Sequence, residues 1–536
     1  MKRKKTKHID QDSSVRHRQS HSVRDRLPVV LFLLCFSLYF LTSSGIPISG
    51  DEINQYYTGV AIFENGNIYI PKNIAQLYTY DGKGYTIKAL PGNSILFIPF
   101  HILDKIFPIR LNYRAIYYWS GFKNVVFGSL VVLFVFLLCM RFYDGDKKLS
   151  FWLAIYAGLC TYFWYYTKTW RYQLTITFFY LLSFYLIYQY KTSGKKKNLF
   201  WAGVLVGFSI ITMHLSAIFG GLLALYYGYI EFKVKGKKIT NVIKDIVIYF
   251  GIPVAFSLII IGYWNFLRWG NALYIEPPMS YFNRPEEPWK IPDPMPNIML
   301  MPGHIYYYFL SPTKSMVVLV PPFLLTLLGI KRFWKKMPPE MLFFSLFILS
   351  TMIFYASFRD YVWGDVGSAG FRYFVSLIPF MVIPSGFFIQ RFKESDLYNK
   401  YKKIWRWGFI GYTAILIILN FTLASMNYRE YRMCQAIVQK YPDYDPMHYW
   451  DIRTSEYFIF YNRFLSVLER KTGIALPRFP LVKDDVFNEC PSYDFSFWWA
   501  RPYYNTFMSF LFWVSLILML YSVRYLYKFF KKFKSA

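Results

Sequence analysis

Apolar runs of about 20 residues recur along the whole chain, separated by polar stretches. A run of that length crosses the ~30 Å hydrocarbon core of a bilayer as an α-helix, and backbone groups in lipid must pair internally. The pattern therefore predicts an all-α polytopic membrane protein with about twelve transmembrane helices. The predicted spans are 27–45, 115–140, 150–166, 173–190, 199–212, 214–231, 245–265, 314–330, 341–357, 373–390, 406–425 and 506–527.

The charge of the polar stretches alternates along the chain. The sequence has 61 Lys and Arg against 31 Asp and Glu, a net charge of +30. The basic residues form short clusters between apolar runs, which argues against a nucleic-acid partner. Every second loop is short and basic, and the loops between them are longer and hold most of the acids. This is the positive-inside pattern, and it predicts a multi-pass protein of the cell inner (cytoplasmic) membrane.

This topology divides the chain into a bundle and its flanking segments. The predicted parts are a basic cytoplasmic tail (1–26), a transmembrane bundle (27–425) with external loops at 46–114, 266–313 and 358–372, an external loop or small domain (426–505), and a last helix with a basic tail (506–536). In the first external loop, Asn54–Phe63 and Ser94–Phe107 have the pattern of amphipathic helices that lie on a membrane. Segment 426–505 either binds the acceptor or braces the bundle.

The five cysteines have no metal-binding spacing, and no metal is expected. Cys35, Cys139 and Cys160 lie in or near apolar spans and are interpreted as packing residues. Cys434 and Cys490 share the segment 426–505. If that segment is extracytoplasmic, a disulfide between these two residues is a reasonable hypothesis.

Two adjacent acids, Asp51 and Glu52, follow the first predicted span on its extracytoplasmic side. A carboxylate at the rim of a bilayer carries a solvation cost, and this apolar chain has few acids. We interpret Asp51 as a candidate general base. The alternative is a solvated acid that merely ends a helix. Glu52 is the second candidate catalytic residue, which either positions the acceptor or a cation or is simply solvated.

Four short motifs follow in the chain: Asp81-Gly82-Lys83-Gly84-Tyr85-Thr86-Ile87-Lys88-Ala89-Leu90-Pro91-Gly92, Tyr263 to Asn271, Ser311-Pro312-Thr313-Lys314-Ser315, and Trp363-Gly364 with Gly370-Phe371-Arg372-Tyr373. All four lie on the same predicted side of the membrane as Asp51. In this order they resemble the GT-C superfamily of polytopic glycosyltransferases, in the branch of protein O-mannosyltransferases and lipid A aminoarabinose transferases. The resemblance covers roughly residues 27–390, and Leu90 departs from the usual proline.

The resemblance implies an inverting glycosyltransferase. Such an enzyme moves a sugar from a polyprenyl-phosphate donor to a hydroxyl of a lipid, glycan or protein acceptor on the extracytoplasmic side. It implies Asp51 as the catalytic acid-base residue, and Lys88 and Arg372 as the cations that hold the departing phosphate. No cofactor is expected beyond the lipid-linked donor.

Four further residues are assigned to the site on weaker grounds. Arg268 either binds the donor phosphate or anchors a span end at the interface. Tyr85 and His304 are candidate substrate-binding residues, although a lone histidine is more often structural. Gln173 stands where relatives often carry a second acid, and its amide can hydrogen-bond an acceptor but cannot titrate.

Two other functions fit the same composition. A transporter or flippase of a lipid-linked saccharide would explain the spans and basic loops, but it predicts ionisable residues in mid-span and an internal repeat. Charges in mid-span are scarce and no repeat is evident. A polymerase or ligase of surface polysaccharide shares the substrate class but does not predict the Asp51–Glu52 placement.

Overall fold

The structure is a computed structural model. It describes the following residues: 26–45, 47, 50–71, 78–80, 84–87, 89–107, 119–273, 299, 301–311, 315–357, 371–426, 456–474, 497–500 and 506–535. Lys88, Cys434 and Cys490 lie outside these ranges, as does most of segment 426–505.

The described residues are helical almost throughout. In chain order the α-helices are α1 (Leu27–Thr42), α2 (Gly50–Asn65), α3 (Gly92–Ile106), α4 (Lys123–Phe142), α5 (Lys147–Leu159), α6 (Phe163–Tyr166), α7 (Gln173–Ser193), α8 (Lys196–Ile210), α9 (Ser216–Tyr229), α10 (Ile239–Asp245), α11 (Ile252–Trp269), α12 (Met301–Leu310), α13 (Met316–Leu319), α14 (Pro322–Lys336), α15 (Pro338–Ser357), α16 (Ile378–Val382), α17 (Ser385–Lys393), α18 (Asp396–Lys400), α19 (Lys402–Ser425), α20 (Glu456–Thr472) and α21 (Thr506–Ser535).

The remaining described elements are short. Three 3₁₀ turns are Trp119–Phe122, Arg372–Leu377 and Trp498–Ala500, and two π-helical turns are Ile230–Val234 and Ile246–Gly251. Strands β1 (Tyr78–Tyr80) and β2 (Tyr85–Ile87) form an antiparallel ribbon. The predicted all-α fold class is confirmed, with this ribbon as a small addition.

The chain is a multi-pass membrane protein. Among the described residues, six helical stretches are long and apolar enough to cross a bilayer: Trp119–Phe142, Ile239–Trp269, Pro338–Ser357, Arg372–Lys393, Lys402–Ser425 and Ser509–Lys531. Several other predicted spans form shorter helices, whereas α7, at the predicted span 173–190, has 21 residues. Helices α1, α8 and α9 have 16, 15 and 14 residues and extend about 21–24 Å, short of ~30 Å. The count of about twelve spans stays a prediction.

Helix α11 has one face that is exposed and one face that packs against the rest of the protein. Ile252, Phe256 and Ile259 are 58%, 63% and 67% exposed on one face. Trp264 and Arg268 are buried on the face that packs against α8 and the first external loop. An exposed face of large apolar side chains is stable in a bilayer and would be a liability in water.

The segment predicted as the first external loop (46–114) contains the two predicted amphipathic helices, within α2 and α3. Both are longer at their N-termini than the sequence indicated, so Asp51 lies in a helical turn and not in a loop. The helices cross at Gly59, where a Cβ atom would lie 2.3 Å from the Ser94 carbonyl oxygen. Gly92 of the first motif packs on the α8–α9 turn: its N–H donates to the Ile211 carbonyl at 2.8 Å, and a Cβ would meet Thr212.

The described part of segment 426–505 braces the bundle. Helix α20 packs on α19, and the Tyr457 hydroxyl donates to Asn420 Oδ1 at 2.9 Å. The indole N–H groups of Trp498 and Trp499 donate to the Phe40 and Leu41 carbonyls, both at 2.7 Å. These bonds add hydrogen-bond donors to two carbonyls in the last turn of α1, where a helix leaves its carbonyls short of intrahelical partners. Acceptor binding by this segment stays a hypothesis.

Candidate active site

The first turn of α2 presents its two acids in different directions. Asp51 is exposed, whereas Glu52 is only 1% exposed. Successive residues of a helix point about 100° apart, so a helix packed on one side can expose one of the pair and bury the other. Both carboxylates lie near the positive end of the helix dipole, which stabilises their charge. The two acids therefore have separate roles in the structure.

Glu52 is the acid of a buried ion pair. Arg171 Nε donates to Glu52 Oε1 at 3.2 Å, and both side chains are buried. The Arg171 backbone is fixed as well, because Asn124 Nδ2 donates to its carbonyl at 2.7 Å. This pair ties the start of α2 to the segment that precedes α7.

A second buried cation lies beside this pair. Lys123 is fully buried at the start of α4, where its ammonium donates to Asn93 Oδ1 and lies 4.6 Å from the centre of the Phe97 ring. The charge of Lys123 interacts with that of Glu52. Asn93 Nδ2 in turn donates to Gln55 Oε1. We call Lys123, Asn93 and Gln55 the Lys123 network; it connects α4, α3 and α2.

The sequence analysis did not assign the Lys123 network to the site. A signal was present, since Lys123 is a charged residue inside the predicted span 115–140. Charged residues within a span usually face the protein interior and have a partner. The partners Asn93 and Gln55 come from other elements, and only the fold brings them to Lys123.

Tyr172 lies within electrostatic range of both Asp51, the candidate base, and the predicted phosphate ligand Arg372. Burial is the main reason that the pKa of the Tyr172 hydroxyl is raised, and the neighbouring Tyr373 and Asp51 add to the rise. The guanidiniums of Arg372 and Arg171 act in the opposite direction. Asp51 and Arg372 are therefore both close enough to Tyr172 to influence its titration.

Arg372 begins the 3₁₀ turn before α16 and is half-buried. Its Nη2 donates to the Tyr373 hydroxyl at 2.5 Å, and the guanidinium lies 4.6 Å from the centre of the Tyr373 ring. A guanidinium can both stack on an aromatic ring and form bidentate bonds to phosphate. The geometry is compatible with the predicted role of Arg372.

Arg268 has structural contacts that the sequence did not indicate. Its Nη1 donates to the Ile87 carbonyl at 3.1 Å and to the Ala89 carbonyl at 3.5 Å, while Nη2 donates to Asn265 Oδ1 at 2.6 Å. Arg268 is 2% exposed and holds the backbone on both sides of Lys88. Its role as a phosphate ligand stays a prediction, and positioning of the Lys88 segment is the role its contacts support.

The three remaining predicted residues occupy different places. His304 is buried, and its Nδ1 donates to the Ala356 carbonyl at 2.7 Å, which fits the structural interpretation. Tyr85 pairs through its backbone carbonyl with the Ile70 N–H at 2.9 Å. Gln173 is 2% exposed at the start of α7, and its Oε1 has no hydrogen-bond partner among the described residues.

A third group of polar side chains, Tyr56, His101 and Glu64, connects α2 to α3 at a distance from Asp51 along the helix. The Tyr56 hydroxyl bonds to His101 Nδ1 at 3.0 Å, and His101 Nε2 bonds to Glu64 Oε1 at 2.7 Å. Hydrogen bonds from Lys105 and His101 lower the pKa of Glu64. His101 therefore serves the packing of these two helices. Within the described ranges, no three His, Cys, Asp or Glu side chains form a metal-binding group.

Asp104 gives a pH-dependent prediction for the fold. Its carboxylate accepts from the Trp119 N–H at 2.6 Å and from the Ser120 hydroxyl at 2.6 Å. Burial nevertheless raises the pKa of Asp104 from 3.8 to about 6. The folded state thus binds this proton more tightly, so stability should fall as pH rises from about 4 to 6, by up to about 3 kcal/mol.

Thermal unfolding of the detergent-solubilised protein at pH values between 4 and 7 measures this effect. The Asp104→Asn variant cannot titrate at this position and should show a smaller fall over the same interval. All other titrating groups are common to both proteins and cancel in the comparison. Identical pH profiles for the two proteins would contradict the prediction.

Comparisons with known proteins give structural similarities at low identity. No family model and no curated protein matches the sequence. ArnT from Cupriavidus metallidurans in the apo state has a TM-score of 0.48 at 15% identity, covering 76% of this chain and 69% of ArnT. The archaeal oligosaccharyltransferase AglB from Archaeoglobus fulgidus, in complex with an inhibitory peptide and a dolichol-phosphate, has a TM-score of 0.48 at 13% identity. The match covers 80% of this chain and 59% of AglB.

A further similarity is to the arabinosyltransferase EmbB from Mycobacterium smegmatis, with a TM-score of 0.40 at 11% identity, covering 96% of this chain and 39% of EmbB. These three proteins are GT-C glycosyltransferases, the class that the sequence motifs resemble. With TM-scores under 0.5, the likeness concerns the general helical arrangement alone. The roles of individual residues rest on the contacts within this chain.

Proposed function

We propose that this protein is a membrane glycosyltransferase that moves a sugar from a polyprenyl-phosphate donor to an acceptor hydroxyl on the extracytoplasmic side, with inversion. The observation that carries this proposal is that an exposed carboxylate, Asp51, and the guanidinium of Arg372 both lie within electrostatic range of Tyr172. A base and a phosphate-binding cation at one rim are what such a transfer requires. The order of the four sequence motifs supports the same reaction.

The residues divide the reaction between them. Asp51 takes the proton from the acceptor hydroxyl as its oxygen forms a bond to the anomeric carbon. The bond from that carbon to the phosphate oxygen breaks, and the polyprenyl phosphate leaves with the electron pair. Arg372 and Lys88 stabilise the charge on the leaving phosphate. A single displacement inverts the anomeric carbon. Glu52 is paired with Arg171 and therefore positions α2 and does not act as the base.

A transfer assay with the purified protein in proteoliposomes tests the proposal. Undecaprenyl phosphate carrying a single labelled sugar is supplied with membrane lipid, glycan and protein fractions as acceptors, and products are followed by mass spectrometry. We expect free undecaprenyl phosphate and a labelled acceptor. Movement of intact lipid-linked sugar between leaflets without cleavage would instead support the flippase alternative.

Replacement of Lys88 by Ala should weaken use of the donor. A charge-assisted bond to phosphate contributes about 1.5–3 kcal/mol, so the KM for the lipid-linked donor should rise about 10-fold or more. Lys402→Ala removes an exposed lysine at the start of α19 and serves as the control. Unchanged donor kinetics in the Lys88 variant would remove this residue from the phosphate site.

A further inference from the structure

A group of phenol side chains lies beside Arg372, which stacks on one of their rings, and within electrostatic range of Asp51. We call Tyr172, Tyr355 and Tyr373 the phenol cluster. They come from three elements: the residue before α7, the last turn of α15, and the 3₁₀ turn before α16. The Tyr355 and Tyr373 rings stack with centroids 4.4 Å apart at an interplanar angle of 18°. The fold thus assembles from distant sequence a surface of aromatic rings and hydroxyls.

Tyr355 forms the floor of this cluster. Its side chain is 6% exposed, and its hydroxyl has no hydrogen-bond partner among the described residues. This hydroxyl is close enough to Tyr172 and Tyr373 to interact with them electrostatically. A buried polar atom without a partner costs about 1–3 kcal/mol, and such atoms in native proteins call for an explanation. A ligand hydroxyl would satisfy it.

The rim of the cluster is accessible. Tyr172, Arg372 and Tyr373 are each half-buried, and Asp51 is exposed. A ligand can therefore contact the rim residues from solvent or from the membrane surface. The side chains combine apolar faces with hydrogen-bonding tips, which suits a molecule that has both C–H faces and hydroxyls.

The position of the cluster identifies which part of the donor it would meet. This step rests on the proposed function. During transfer the anomeric carbon must lie between the acceptor oxygen at Asp51 and the phosphate at Arg372. The sugar ring that contains this carbon would therefore lie close to the phenol cluster. We infer that Tyr172 and Tyr355 form a subsite that binds the donor sugar through its ring hydroxyls.

The charges around the cluster restrict the sugar. Arg372 is within reach of both Tyr172 and Tyr355, and Arg171 is within reach of Tyr172. Asp51 is the acid that acts on Tyr172, and it is engaged with the acceptor during transfer. Because Arg171 is paired with Glu52, Arg372 is the guanidinium that would repel a positively charged amino sugar, and a neutral hexose would not be repelled. The subsite therefore favours neutral, hydroxyl-rich sugars.

Binding measurements with defined lipids test this inference. The ligands are undecaprenyl phosphate alone and undecaprenyl phosphate carrying glucose, mannose or 4-amino-4-deoxyarabinose. The full-length protein in nanodiscs is compared with Tyr172→Phe and Tyr355→Phe, each of which removes one hydroxyl and keeps the ring. Tyr527→Phe, at a residue that is 68% exposed on α21, is the matched control.

We expect the neutral sugar-linked lipids to bind wild type more tightly than the bare carrier. Each cluster variant should lose about 3- to 10-fold in affinity for the preferred neutral sugar-linked lipid, the value of one neutral hydrogen bond. Affinity for the bare carrier should stay unchanged in both variants, which a general loss of folding could not produce. The control should bind all four lipids as wild type does.

Four results would overturn the inference. Equal losses for bare and sugar-linked carriers would mean that the hydroxyls serve the phosphate or the fold. Tighter binding of the amino sugar than of the neutral sugars would contradict the charge argument. If the wild-type protein binds the bare carrier and binds none of the sugar-linked lipids more tightly, the sugar subsite is refuted. The proposed phosphate site is not contradicted by that result. Failure to bind any of the lipids would refute the proposed function, and the subsite with it.

Discussion

Replacing Asp51 by Asn should abolish sugar transfer, with a loss of at least about 100-fold and up to about 10⁴-fold in turnover. The variant keeps the shape of the side chain and removes its capacity to accept a proton. Asp51 is exposed at the first turn of α2, so the change should leave packing and membrane insertion intact. The measurement is turnover of a labelled lipid-linked sugar in proteoliposomes.

The control for this variant is Asp144→Asn. Asp144 is exposed beyond the C-terminal end of α4, and its backbone φ of 50° is one that asparagine also tolerates. This variant should transfer sugar at the wild-type rate. Both variants should unfold at the wild-type temperature. Substantial transfer by the Asp51 variant would show that another group takes the proton.

Breaking the Glu52–Arg171 pair should cause the largest loss of stability. Glu52→Gln leaves Arg171 buried without its carboxylate, and it also removes the charge that interacts with Lys123. Removing one partner of a buried pair costs about 3–5 kcal/mol. The free energy of unfolding in detergent, from denaturant titration, is the quantity to measure.

The reverse substitution should be milder, because Arg171→Met leaves Glu52 with Lys123 as a remaining cation. The matched control is Glu394→Gln, which breaks a partly exposed pair with Arg332 and should change stability little, as exposed pairs do. A Glu52→Gln variant no less stable than the Glu394→Gln variant would contradict the importance of the buried pair. Equal losses from Glu52→Gln and Arg171→Met would contradict the part assigned to Lys123.

The motif residues show what a sequence pattern can and cannot assign. Gly92 was identified only by its place in a motif, and the structure gives it a physical reason, because the α8–α9 turn leaves no room for a Cβ atom. Arg268 was predicted to bind phosphate, and its described contacts are with the backbone at Ile87 and Ala89. Both kinds of contact depend on chain segments more than 100 residues apart, which local spacing does not reveal.

The sequence alone determined the helical membrane fold and the acid pair at the end of the first span. Hydrophobic runs and charge alternation are local properties of the chain, and they decide directly which segments are stable in lipid and which in water. The tertiary structure decided which acid is available. Helix α2 exposes Asp51 and turns Glu52 toward Arg171. It also brought Tyr172 and Tyr355 together beside Arg372. These outcomes depend on how separate helices pack, since burial and partners are set by neighbours distant in the chain.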